Sequence, residues 1–115
     1  MKGAPAPHIT IDSAGARVRV TVAGEVLADT RDALALKEGA YPVVYYFPRK
    51  DVRMDHLERT EHRSYCPFKG HASYWSLKGG AANAVWSYED PYDDMTAIKE
   101  RLAFYPDKVD SITAE

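Results

Sequence analysis

Polar and apolar residues alternate through Arg17-Val18-Arg19-Val20-Thr21-Val22, the period of a strand with one face on a core. Ala23-Gly24 breaks the run with a tight turn, and Glu25-Val26-Leu27-Ala28-Asp29 returns. The pattern predicts a β-hairpin. The next run, Asp32-Ala33-Leu34-Ala35-Leu36-Lys37, has residues that favour helix by propensity. It is too short for a free-standing helix and is closed by Glu38-Gly39, so it reads as a third strand. Val43-Val44-Tyr45-Tyr46-Phe47, set between Pro42 and Pro48, is the most β-prone run. Apolar on both sides, it predicts a central strand covered on both faces. Asp51 to Arg59 reads as a connection and a short, more exposed strand.

From His71 the period of two resumes, with Ser73, Trp75 and Leu77 on one face and Ala72, Tyr74 and Ser76 on the other. Lys78-Gly79-Gly80 is a turn, and Ala82–Tyr88 reads as the returning strand, which would set Trp75 near Trp86 across a hairpin. Asp90-Pro91 reads as a helix start, with Asp93 and Asp94 complementing the positive end and Met95, Ile98 and Leu102 forming a short buried stripe. The run Leu102-Ala103-Phe104-Tyr105 is compatible with a return to strand, and the tail from Asp107 carries no firm signal. Residues 1–8 alternate small residues with proline, which predicts an extended N-terminal arm. The arm is drawn over 1–16, ahead of one β domain over 17–115. The expected fold is mainly β: a small antiparallel barrel or two packed sheets, with one short C-terminal helix.

Composition narrows the classes without choosing among them. A chain of 115 residues, 45% apolar and 28% charged, is an ordinary globular domain. A net charge of −2 with interspersed signs gives no long-range attraction for nucleic acid or an anionic membrane, and neither is expected as a partner. The single cysteine excludes an internal disulfide and suits a reducing compartment. No apolar run reaches membrane-span length, and the N-terminus lacks the apolar centre of a secretion signal. These features predict a cytoplasmic protein.

The densest chemistry lies in Cys66-Pro67-Phe68-Lys69-Gly70-His71. Pro67 drives Cys66 into extended backbone and suits a turn, which Gly70 can close with a positive backbone angle. An isolated buried ammonium is costly, so Lys69 must reach either water, a partner or a pocket. Cys66 admits two readings: a thiolate activated by neighbouring cations, or a small hydrophobe beside a proline turn, the simpler of the two. His56, His62, Cys66 and His71 lack a familiar metal-ligand spacing, and no metal or other cofactor is expected. The aromatic residues exceed what one small core readily holds, which points to a pocket or an interface.

Tyr45-Tyr46-Phe47-Pro48 with Asp51-Val52, Cys66 to Gly70 with Ser73-Tyr74-Trp75, Ala84 to Tyr88, and Ala103-Phe104-Tyr105 occur in an order that resembles a small bacterial family called domain of unknown function 427. The likeness runs from about Arg17 to Val109. It implies a compact, mainly β domain and brings no catalytic residues. The family also carries a nucleotidyltransferase-like label. Metal-assisted nucleotidyl transfer uses carboxylates that converge on Mg²⁺, whereas Glu89-Asp90 and Asp93-Asp94 are adjacent pairs at an expected helix start. Gly79-Gly80 lacks the lysine and hydroxyl of a phosphate loop.

Three functions follow for testing. The first is a domain binding an unknown small molecule in an aromatic pocket beside the Cys66–Gly70 turn, with Tyr46, Arg53, Gly70, His71, Trp75 and Trp86 as ligand-binding residues. The second is a cysteine-dependent or phosphate-handling enzyme, with Cys66 and Lys69 as catalytic residues aided by Arg53 and His71. The third is a non-catalytic module whose aromatics form a homodimer or partner surface.

Overall fold

The computed structural model describes residues 8–115. Their regular structure is ten strands and four short 3-10 segments. The strands are β1 (Ile9–Ser13), β2 (Val18–Val22), β3 (Glu25–Thr30), β4 (Leu34–Glu38), β5 (Val44–Tyr46), β6 (Leu57–Cys66), β7 (Gly70–Leu77), β8 (Val85–Ser87), β9 (Ala103–Phe104) and β10 (Ser111–Ala114). They form three antiparallel sheets, ordered β1-β4-β5, β10-β2-β3 and β6-β7-β8-β9, rather than a closed barrel. The fold is mainly β, as the alternation predicts. Of the arm drawn over 1–16, residues 1–7 lie outside the described residues, and Ile9–Ser13 is extended and paired with β4.

The β2–β3 hairpin matches its sequence pattern. Val18 and Val20 are wholly buried, each burial contributing about 1.5–3 kcal/mol. Ala23 and Gly24 both take positive φ in the turn. One core cluster gathers Val18, Val20, Leu27, Phe47, Val52, Trp75, Leu77 and Val85 among others. A second gathers Leu36, Tyr46, Ala72, Tyr74, Tyr88, Met95, Ile98 and Ala103. Strand β7 lies between them: Trp75 and Leu77 enter the first cluster while Ala72 and Tyr74 enter the second. That two-sided burial explains its nearly unbroken buried pattern.

Four expectations need correction. Strand β5 is covered on both sides, Phe47 facing the first cluster and Tyr46 the second. It is nevertheless the last strand of its sheet, and Phe47 extends it toward the third sheet through reciprocal backbone hydrogen bonds with Leu102 of 2.8 and 2.9 Å. Leu57–Cys66 is a full ten-residue strand, not a short one. Its charges are tolerated because it is the outer strand of its sheet, and charge on an edge discourages unwanted pairing. Trp75 and Trp86 lie on opposite faces, because Tyr74 pairs with Trp86 and Trp75 with Val85. The expected C-terminal helix is a 3-10 segment, Asp93–Ile98, with Tyr92 instead of Asp90 at its N-cap position, no side-chain cap, and an interruption at Met95 (φ −113°). Met95 and Ile98 are buried from it all the same.

Candidate functional site

The turn between β6 and β7 is held at both ends. Lys69 N–H donates to the Cys66 carbonyl at 3.2 Å, and Tyr92 N–H donates to the Lys69 carbonyl at 3.0 Å. Gly70 follows with φ +111°, which few L side chains adopt. With its backbone fixed, Lys69 runs its side chain inward until the residue is only 6% exposed. Its Nζ lies 2.8 Å from Oε1 of Glu38, the last residue of β4, and 3.8 Å from Sγ of Cys66. His8 Nε2 stands 3.5 Å from the other Glu38 oxygen. The lysine's hydrogen bond holds the Glu38 carboxyl below its ordinary range against an opposing push from partial burial.

This ion pair borders a cleft of about 590 Å³. The β4–β5 segment contributes Leu36, Val43, Val44 and Tyr46; β7–β8 and the residue after it contribute Tyr74, Trp86 and Tyr88; Tyr105 and Pro106 complete the wall with Tyr41 and Pro42. The rings support one another, Trp86 and Tyr105 with centroids 4.4 Å apart, and Tyr46 edge-on to Trp86 at 6.3 Å. Trp86 Nε1–H donates to the Tyr46 hydroxyl at 3.4 Å, and the Tyr74 hydroxyl shares hydrogen bonds with Ser64 at 2.8 Å and Tyr105 at 3.3 Å. The Tyr88 hydroxyl has no hydrogen-bond partner among the described residues. Its ring centroid is 6.0 Å from Lys69 Nζ. Burial is the leading cause that raises the phenol pKa of Tyr46, Tyr88 and Tyr105, so all three stay neutral and able to donate near pH 7.

The structure brings together Lys69, Tyr46 and Trp86 from the predicted set. Cys66 touches Lys69 but is not among the residues lining the cleft. Gly70 and His71 border a neighbouring depression with Tyr65 and Tyr92, whose hydroxyls are 2.8 Å apart. Trp75 is in the first core, with the guanidinium groups of Arg49 at 5.3 Å and Arg59 at 5.1 Å from its ring centroid. Both arginines also bond Glu89, at 3.3 and 2.8 Å. Arg53 is on another surface beside Asp55 and His56. Among the described residues no three His, Cys, Asp or Glu side chains are placed to share a metal ion.

Sequence reasoning missed Glu38, Tyr88 and Tyr105. The need of Lys69 for a partner was visible, but nothing local marked Glu38, which is 31 residues away. Residues 10–115 match a protein family described as a domain of unknown function (DUF427), and the chain belongs to that family. No curated protein matches it.

Proposed function

We propose that this member of the family binds a small organic molecule in the aromatic cleft beside the Cys66–Gly70 turn. The observation that carries this is the cleft's composition: a continuous apolar and aromatic wall with one paired charge site, Lys69–Glu38, on it. Ligand sites combine a largely apolar, preformed surface with few convergent polar groups. The mutual ring contacts and the two-sided packing of β7 support a preformed cleft, since little side-chain entropy is lost when the walls are already ordered.

The enzymatic reading has less support. A thiolate must reach its substrate to attack it, and Cys66 does not line the cleft. The adjacent carboxylates Glu89-Asp90 are committed differently: Glu89 holds two arginines, while Asp90 borders the depression with His71. The test is a ¹H–¹⁵N titration with quinoline, a flat neutral bicycle. Saturable shifts centred on the Lys69 amide and the Trp86 indole are expected. Shifts confined to Tyr65 and His71 would overturn the reading.

A further inference from the structure

Resting on the cleft reading above, we propose the class of its ligand: a neutral, flat ring that turns a cyclic amide edge, N–H beside C=O, toward Lys69 and Glu38. Charge makes the first selection. Among the described residues the charged side chains on the cleft wall are Lys69 and Glu38, and their formal charges cancel. An anion would meet a lysine that already has its counter-ion, and a cation a carboxylate in the same condition. Removing either ion's water without a new partner is unfavourable. A polyphosphate is the ligand least suited to such a wall.

The remaining hydrogen-bond capacity makes the second selection. An ammonium has three donors. In Lys69 one serves Glu38, and a second is within reach of Cys66 Sγ. That leaves one to donate to a ligand carbonyl. The Glu38 carboxylate accepts from Lys69 on Oε1 and faces His8 on Oε2, and retains lone pairs for a ligand N–H. The donor and acceptor atoms stand 2.8 Å apart. The N and O of an amide lie about 2.3 Å apart by ordinary bond lengths, so one cis-amide edge can span both in near-parallel hydrogen bonds. A linear secondary amide holds these atoms trans and cannot present both at once; a ring fixes them cis. The Tyr88 hydroxyl, without a hydrogen-bond partner among the described residues, offers one further contact to a polar substituent. Trp86, Tyr46 and Tyr105 supply the flat apolar surroundings that such a ring would need.

Four probes of one shape test this by NMR titration: carbostyril, which has the cis-amide edge; N-methylcarbostyril, which lacks its N–H; quinoline, which lacks both groups; and quinaldate, which is anionic. Carbostyril should bind at least about fivefold more tightly than the other three, the worth of a hydrogen bond or two. In Lys69→Met, which removes the donor to the ligand carbonyl and keeps the Glu38 acceptor, carbostyril should lose at least about twofold of its preference over quinoline. If Lys69→Met does not fold, the wild-type ranking alone decides. Carbostyril and quinoline binding alike would overturn the amide class and leave the cleft reading standing, and quinaldate binding tightest would also overturn it. If none of the four saturates the cleft, both readings fall.

Discussion

Removing one member of the Lys69–Glu38 pair should cost far more than removing the other. At 2.8 Å the attraction is about 6 kcal/mol at an effective dielectric constant of 20. Most of this offsets desolvation, chiefly that of the ammonium, because the Lys69 side chain is 8% exposed and that of Glu38 25%. Glu38→Ala removes the attraction and leaves the desolvation. The buried ammonium must then recruit water or release its proton. Release at pH 7 costs a lysine of ordinary pKa about 4–5 kcal/mol, which caps the damage. The expected loss is about 2–4 kcal/mol, somewhat below that of a wholly buried pair.

Lys69→Met removes attraction and desolvation together and fills the same channel with an apolar chain. Glu38 then keeps access to water and to His8, so the loss should be at most about 1 kcal/mol. Urea unfolding at pH 7, followed by far-ultraviolet circular dichroism, separates the two. With a slope near 2 kcal/mol/M, Glu38→Ala should lower the midpoint by about 1–2 M and Lys69→Met by about 0.5 M or less. An equal or larger loss in Lys69→Met would refute the reasoning. The pH dependence supplies an internal check. The folded-state pKa of Glu38 is lowered, so its contribution is present above the ordinary glutamate value of about 4.3 and fades as pH falls through the folded value. Between about pH 5 and pH 3 the wild type should therefore lose more stability than Lys69→Met.

Ser87 is wholly buried, and its hydroxyl has no partner among the described residues; Ser87→Ala should leave stability unchanged or raise it by about 1 kcal/mol, and a clear loss in urea would mean that the hydroxyl is satisfied. In Gly70→Ala the new methyl would meet its nearest atoms at 3.6–3.7 Å, ordinary contact, but the residue sits at φ +111°. Backbone strain alone should then cost about 1–2 kcal/mol, and an unaltered melting temperature would refute that. Cys66→Ser should leave quinoline affinity within about twofold, because the sulfur lies off the cleft wall; a tenfold drop in the same titration would put the sulfur in the site.

The parts of this fold legible in the sequence are those governed by local rules. The alternation at Val18–Val22 marks a strand with one buried face. The alternation at Ala72–Leu77 marks another, although here both faces are buried in separate clusters. Where spacing fits two structures, the sequence is silent: Met95 and Ile98 are three residues apart, which suits a 3-10 turn as well as an α-helix. Register is harder still. Shifting a pairing by one residue exchanges the faces of every side chain, and that single step decides that Trp86 reaches the cleft while Trp75 enters the first core.

The site divides along the same line. Burial physics alone demands an answer for Lys69, because an ammonium in such a turn needs water, a partner or a pocket. Which carboxylate answers depends on long-range placement. Glu38 ends β4 opposite Ile9 of β1, and β4 in turn pairs with β5, which carries Tyr46 into the second core cluster. That cluster also receives Ala72 and Tyr74 from the strand that follows the Lys69 turn. The carboxylate and the lysine thus approach each other from opposite sides of shared packing, and the cleft opens where their two sheets converge. Each residue type is readable one at a time, but the pair exists only through the association of two sheets.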